Sequence, residues 1–155
     1  AQAWPLLTQA LLLEARFAEA VEAADRGIAL SPDDASLRSQ RGLGRLNLPE
    51  PDPAGALEDF DAARSLGTQL DPSLIRLRAM CLQSLGRYAE AGAEFTRVLA
   101  AEPEDASSYV RRGTCRLAQG DREGARDDAR SARRLGLPPN SDPRLRAALE
   151  RLPQE

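Results

Sequence analysis

Small and apolar residues recur along the chain at the three- and four-residue spacing of α-helices. Four segments begin with alanine and place Ala or Phe four residues further on, namely residues 20–24, 56–60, 91–95 and 125–129. Leucine and alanine dominate and β-branched residues are few, so intrinsic propensity also favours helix. We therefore predict an all-α fold.

Turn signals divide the predicted helices into pairs. Segments 30–34 and 101–105 each carry a central proline that ends a helix, and they lie 71 residues apart, about two repeats. Gly86 and Gly120 mark turns inside a pair, while three prolines in residues 49–53 predict a longer turn. These signals predict four helix-turn-helix repeats, over residues 1–34, 35–71, 72–105 and 106–140. A further helix over residues 141–152 would cover the last repeat, whose end would otherwise expose apolar surface.

The cations exclude several kinds of chemistry. All 21 are arginine, and the chain contains neither lysine nor histidine. Schiff-base lysines, phosphate-loop lysines, histidine triads and histidine metal sites are therefore excluded within this sequence. The carboxylates lie mostly at turns or on exposed helix faces, where they cap helices or are solvated. We predict no catalytic residue, no cofactor and no metal site, and hence that the protein is not an enzyme.

The two cysteines occupy equivalent places in adjacent repeats, because Cys81 and Cys115 are 34 residues apart. Equivalent helices pack about 8–10 Å apart, whereas a disulfide needs Cα atoms within about 7 Å. Two thiols without histidine also make no metal site. We predict that both are buried small side chains.

The repeated pattern resembles the tetratricopeptide repeat (TPR) family, whose motif has Trp, Leu, Gly, an aromatic, Ala, an aromatic, Ala and Pro at fixed places. The matching residues in repeats 1 and 3 are Trp4, Leu7, Leu11, Ala20, Ala24, Leu30 and Pro32, then Leu82, Tyr88, Ala91, Phe95 and Pro103. The resemblance implies a single domain over residues 1–155, folded as a right-handed α-α superhelix, or solenoid. It also implies a soluble protein-binding scaffold, such as an adaptor or assembly factor.

In that family the first helix of each repeat lines a concave groove that binds a peptide or short helix of a partner. Carried over by position, the groove residues are Gln9, Leu12, Leu13, Gln40, Leu43, Leu46, Arg76, Leu77, Met80, Gln83, Arg111 and Thr114. This is an apolar floor with amides and two arginines. It suits an apolar or amphipathic segment with a carboxylate that Arg76 or Arg111 can pair with.

Aligning the repeats shows arginine and carboxylate occurring together. Arg41, Arg78 and Arg112 share one place in the first helices of repeats 2, 3 and 4. Asp59, Glu94 and Asp128 share one place in the second helices, whereas repeat 1 has Leu7 and Ala23 at these places. We predict a structural ion pair between the two helices in each of these three repeats.

The charge distribution leaves an alternative function open. Residues 1–105 carry a net charge of −7 and residues 106–155 one of +4, so weak self-association between the acidic and basic parts is the alternative. Nucleic-acid binding is not expected, because the overall net charge is −3 and no aromatic platform is present. No apolar run is longer than four residues, far short of the roughly 20 residues of a membrane span. No secretory signal is visible, and we expect a cytoplasmic protein.

Overall fold

The computed structural model describes residues 3–67 and 71–136, and all regular secondary structure in those ranges is α-helical. The helices are α1 (Ala3–Leu13), α2 (Phe17–Leu30), α3 (Ala35–Leu46), α4 (Pro53–Ser65), α5 (Pro72–Ser84), α6 (Tyr88–Ala101), α7 (Ala106–Ala118) and α8 (Arg122–Arg134). Two of these helices fall within each predicted repeat. The helix predicted over residues 141–152 lies outside the described residues.

Aspartates cap the start of five of the helices, including α5, where Asp71 accepts from the Leu74 backbone N–H at 2.8 Å. Asp34 precedes α3 and accepts hydrogen bonds from the backbone N–H groups of the second and third residues after it. Asp52, Asp105 and Asp121 each accept one from the third residue after them, at 2.8, 3.2 and 2.9 Å. These carboxylates satisfy N–H groups that have no partner inside the helix. Pro53 begins α4, where a missing N–H is tolerated.

The turns inside three repeats use a left-handed residue. Gly86 lies between α5 and α6 with φ 74°, and Gly120 lies between α7 and α8 with φ 83°. Glycine reaches this conformation without a Cβ clash. The corresponding residue of repeat 1 is Ala15, 71 positions before Gly86, and it has φ 56° although it carries a Cβ.

The chain forms two compact units, residues 1–81 and 82–155, and the boundary falls within α5. We call them the amino-terminal and carboxy-terminal units. In the amino-terminal unit α1 packs on α2, α2 on α3 and α3 on α4, and α1 also contacts α3. In the carboxy-terminal unit α6 packs on α7 and α7 on α8.

Small residues on the second helices let neighbouring helices approach closely. The alanines that begin the four repeated segments are at most 1% exposed: Ala20, Ala56, Ala91 and Ala125. Phe60 and Phe95 are fully buried four residues after two of them. A Cβ on Gly42 would lie 3.0 Å from the Phe60 ring, so any larger residue there would have to displace that ring by a few tenths of an ångström.

Candidate functional site

Nine of the predicted groove residues belong to the amino-terminal unit, and we call them the first-helix face. They are Gln9, Leu12 and Leu13 on α1, Gln40, Leu43 and Leu46 on α3, and Arg76, Leu77 and Met80 on α5. All nine are exposed or half-buried, and Leu13 is 82% exposed. Since α1 contacts α3 directly, their residues on this face lie on adjacent helices.

The first-helix face differs in character from the exposed surface of the second helices. It carries one charged side chain, Arg76, among six apolar side chains and two amides. The exposed residues of α2 and α4 include the charged side chains Glu19, Glu22, Asp25, Arg26, Glu58 and Arg64. Apolar side chains that keep contact with water are therefore concentrated on the first helices of this unit.

Two residues of this face also take part in packing. Leu12 packs against a buried cluster of Leu11, Ala20 and Ala23. The side-chain oxygen of Gln40 is buried and receives no hydrogen bond within residues 3–67 and 71–136. Leu12 thus stabilises the packing of α1 on α2, and Gln40 contributes to the first-helix face a buried hydrogen-bond acceptor without a donor among the described residues.

The three remaining predicted groove residues lie in the carboxy-terminal unit. Gln83 and Arg111 bind each other: Arg111 Nη1 donates to Gln83 Oε1 at 3.1 Å, and Gln83 Nε2 donates to the Arg111 carbonyl at 3.3 Å. Thr114 is only 7% exposed, and its hydroxyl donates to the Val110 carbonyl at 3.0 Å. Its placement on an open surface is therefore corrected: Thr114 is a packing residue, because its hydroxyl is satisfied within α7.

The ion pair predicted for repeat 2 is part of a larger cluster. Arg41 donates through Nη2 to Asp59 Oδ1 at 2.6 Å, and Asp59 has a side-chain exposure of only 2%. Arg45 donates through Nη1 to the other oxygen of Asp59 at 2.9 Å. Asp25 of α2 accepts from Arg41 Nη1 at 2.6 Å. Hydrogen bonds from Arg41 to Asp59, and then to Asp25, raise the Arg41 pKa above its usual value despite the opposing effect of burial.

Repeat 4 contains the same arrangement. Arg112 donates through Nη2 to Asp128 Oδ1 at 2.6 Å, and Arg116 Nη1 lies 3.0 Å from Asp128 Oδ2. Asp128 also has a side-chain exposure of 2%. Arg112 Nη1 donates to the Thr96 hydroxyl at 3.1 Å, at the place where repeat 2 uses a carboxylate. We refer to these as the repeat-2 and repeat-4 clusters.

Sequence reasoning missed the second arginine of each cluster. Arg45 and Arg116 lie one helical turn after Arg41 and Arg112, and each donates to a backbone carbonyl of the facing helix, that of Gly55 or Gly124, at 2.9 Å. A Cβ on either glycine would overlap the capping carboxylate and crowd the arginine. The sequence contained a signal for this contact: Arg45 and Arg116 are 71 residues apart and Gly55 and Gly124 are 69 apart, so both residues recur at equivalent places in repeats 2 and 4.

The pair between Arg78 and Glu94 stays a prediction. Within the amino-terminal unit, Arg78 Nε donates to Asp61 Oδ1 at 2.7 Å. Within the carboxy-terminal unit, Glu94 is 3.2 Å from Arg97 Nη1. Repeat 3 has the buried Leu82 where the clusters have their second arginine, so its ionic arrangement differs from theirs.

Solved structures share this arrangement of helices. The structure "MamA MSR-1 C2" matches with a TM-score of 0.73 at 19% identity, covering 84% of this chain and 73% of that chain. A chain of the APC/C hetero-tetramer Cut9-Hcn1 matches with a TM-score of 0.72 at 18% identity, covering 96% and 29%. YrrB, described as a TPR protein with an unusual peptide-binding site, matches with a TM-score of 0.50 at 16% identity, covering 98% and 92%. No family model and no curated protein matches the chain.

The fold is a tetratricopeptide-like helical repeat. The predicted all-α repeat class is thereby confirmed. At these identities the likeness concerns the fold, and a repeat fold of this kind is compatible with many functions.

The reactive side chains in this tetratricopeptide-like fold are shielded. Both thiols are fully buried, and burial raises the pKa of Cys81 to about 12 and that of Cys115 to about 11. Within the described residues, no group of three or more Cys, Asp and Glu side chains is arranged to hold a metal ion. None of the helices described is long and apolar enough to cross a membrane.

Proposed function

We propose that the protein is a non-enzymatic interaction module that binds a peptide or short helix of a partner protein on its first-helix face. The observation that carries this proposal is the contrast within the amino-terminal unit. The first helices keep leucines, a methionine and amides in contact with water, while the exposed surface of the second helices is largely charged. Exposed apolar surface rimmed by polar groups is typical of protein interaction sites.

The solved structures support the proposal by analogy. YrrB is described as having a peptide-binding site, and the Cut9-Hcn1 chain belongs to a hetero-tetramer. A scaffold of packed helix pairs can hold an extended peptide or an amphipathic helix without a cofactor. The guest expected here is apolar or amphipathic, because six of the nine residues of the face are Leu or Met.

A carboxylate on the guest would add directional contacts. Arg76 lies on α5 beside Leu77 and Met80, within the first-helix face. Its guanidinium could bind a guest carboxylate through two N–H groups. Replacing Arg76 by alanine should weaken binding of an amphipathic acidic guest, and unchanged affinity would remove the ionic part of the proposal.

Two exposed leucines provide a matched test of the face. Leu13 is the last residue of α1 and is 82% exposed, whereas Leu30 is the last residue of α2 and is 72% exposed. Both can be replaced by aspartate with little effect on folding, because neither side chain is in the core. The readout is partner capture from native lysate followed by mass spectrometry and direct affinity measurement with the purified partner.

We expect Leu13→Asp to lower the affinity at least about tenfold, because a desolvated charge replaces an apolar contact. Leu30→Asp should bind like the parent protein. Equal affinity of the two variants, or a loss confined to Leu30→Asp, would contradict binding on the first-helix face. Circular dichroism of both variants checks that the helical content is unchanged.

A further inference from the structure

A small polar pocket lies between α6 and α7 in the carboxy-terminal unit. Its volume is about 240 Å³, and its lining includes Gly92, Thr96, Arg112, Arg116 and Gln119. These residues are different from the first-helix face, so the pocket can be considered without reference to the proposed function. Two arginines, an amide, a hydroxyl and the carboxylate of Asp121 line this space, and the remaining lining residues are small.

The chain contains its own comparison for this pocket, because α2 with α3 and α6 with α7 are the same helices shifted by 71 residues. At the place of Thr96 the amino-terminal unit has Asp25. The Asp25 carboxylate accepts from Arg41 Nη1 at 2.6 Å, whereas Thr96 offers Arg112 Nη1 a neutral hydroxyl at 3.1 Å. The capping carboxylates Asp52 and Asp121 lie beside Arg45 and Arg116 in the same way, so the repeat-4 cluster has one aspartate fewer than the repeat-2 cluster.

The same comparison explains the free space. Val21 of the amino-terminal unit packs towards Gly44 of α3, and its counterpart in α6 is Gly92. A Cβ on Gly92 would approach Cys115 and Gln119 no closer than 3.8 Å, which is ordinary contact. Packing therefore does not require glycine at this position, although glycine is unfavourable inside a helix. Its effect is to leave the pocket open.

We propose that this pocket binds the carboxylate of an Asp or Glu side chain presented by a partner polypeptide. The carboxylate would accept from Arg112 Nη1 and lie beside Arg116, taking the part that Asp25 plays in the repeat-2 cluster. With Asp121 counted, the two arginines are balanced by two aspartates, so a bound monoanion would supply the carboxylate that Asp25 gives the repeat-2 cluster. The Asp121 carboxylate, whose Oδ2 is 3.8 Å from Arg116 Nε, faces any anion in the pocket and repels a dianionic phosphate more strongly than a monoanionic carboxylate.

The amide in the pocket favours a peptide over a free acid. Gln119 Nε2 donates to the Cys115 carbonyl at 3.1 Å. Its amide oxygen receives no hydrogen bond from the described residues, so it can accept a peptide N–H next to the bound carboxylate. A peptide-borne side chain would therefore make one contact that acetate lacks.

Nuclear magnetic resonance of the ¹⁵N-labelled protein tests this directly. The probes are N-acetyl-aspartate N-methylamide, the matching asparagine compound and acetate, at constant ionic strength. The aspartate compound should shift the Nε–Hε signals of Arg112 and Arg116 and the backbone amide signals of Gly92 and Thr96. We expect half-saturation at roughly 10 mM of the compound. The asparagine compound and acetate should each bind several-fold more weakly.

Variants of the chain provide the controls. Thr96→Asp supplies an internal carboxylate and should abolish the response, as should the uncharged filling variant Gly92→Val, while Thr96→Ser should keep it. Asp25→Thr combined with Val21→Gly should create a new response at Arg41, whereas Asp25→Thr alone should not, because Val21 fills the space that Gly92 leaves open. A response that survives both Thr96→Asp and Gly92→Val, equal responses to the aspartate and asparagine compounds, or no saturable response would overturn the proposal. Acetate binding as tightly as the aspartate compound would contradict the peptide as the source.

Discussion

The buried carboxylate of the repeat-4 cluster can be removed with almost no change in shape by replacing Asp128 with asparagine. Asp128 accepts from Arg112 Nη2 at 2.6 Å and lies 3.0 Å from Arg116 Nη1, and its side-chain exposure is 2%. Asparagine keeps the volume but removes the charge. It also turns one acceptor into an N–H donor that faces an arginine donor.

The expected loss of stability follows from the exposure of the groups left behind. Removing one partner of a buried ion pair typically costs about 3–5 kcal/mol. The side chains of Arg112 and Arg116 are 14% and 31% exposed, so water partly replaces the carboxylate, and we expect the lower end, about 3 kcal/mol. The neighbouring Asp127 is the control: it is 65% exposed and 3.5 Å from Arg130, and such surface pairs contribute about 0–1 kcal/mol.

Urea unfolding followed by far-ultraviolet circular dichroism at pH 7 separates the two cases. With slopes of about 1–3 kcal/mol per molar urea, a loss of about 3 kcal/mol lowers the midpoint by roughly 1.5 M. Asp127→Asn should leave the midpoint nearly unchanged. Free energies of unfolding of the two variants within about 0.5 kcal/mol of each other would refute the assignment of Asp128 as the buried anchor of both arginines. Replacing Asp128, Arg112 and Arg116 together by apolar residues should restore much of the loss.

Three further outcomes are expected. Ala15→Gly should raise the free energy of unfolding by up to about 1 kcal/mol, because glycine adopts the left-handed conformation of this residue without strain. The control Ala18→Gly, at an exposed position inside α2, should lower it by about as much. The midpoints of urea unfolding measure both effects. Cys81 and Cys115 should resist a thiol reagent at pH 8 until the protein is unfolded. Burial raises the folded pKa values of Cys81 and Cys115 to about 12 and 11, whereas an unfolded thiol has a pKa of about 8.5. The stability that the two neutral thiols contribute is therefore complete below about pH 8.5 and is lost as the pH rises towards the folded pKa values. Replacing both cysteines by alanine should reduce this loss of stability at alkaline pH. Sedimentation should give the same mass at low and high salt, and a salt-reversible increase at low salt would favour the self-association alternative.

The helical pairs and their turns could be predicted because each depends on local chemistry. Gly86 and Gly120 stand where a left-handed residue is needed, and the prolines in residues 49–53 separate α3 from α4. The contacts of Arg41 with Asp59, and of Arg112 with Asp128, follow from aligning repeats, because helices in equivalent repeats pack in the same register. Repetition thus makes some contacts between distant residues readable from the sequence.

The exposure of individual side chains was harder to predict than the helix pairs, because it depends on how each helix is rotated about its axis against its neighbours. Thr114 and Arg111 are three residues apart on α7, yet Thr114 is buried and Arg111 is half-buried. Leu12 and Leu13 are adjacent on α1, yet Leu12 packs against the core while Leu13 is 82% exposed. A family pattern gives the helix and the approximate face, but a rotation of one residue decides whether a side chain meets the partner or the core.

The period that best describes the charged contacts is 71 residues, twice the length of one repeat. Repeats 1 and 3 carry an exposed pair at the start of the second helix, Arg16 with Glu19 at 2.6 Å and Arg87 with Glu90 at 2.7 Å. Repeats 2 and 4 carry the buried clusters in which two arginines share one aspartate. Exposed pairs of this kind contribute little to stability, whereas moving a buried carboxylate away from its two arginines would leave buried charges unpaired. We therefore expect these clusters to favour one helix register in repeats 2 and 4. In repeat 1 that task falls to apolar contacts, because Leu11 and Ala23 stand in the places of the second arginine and the aspartate.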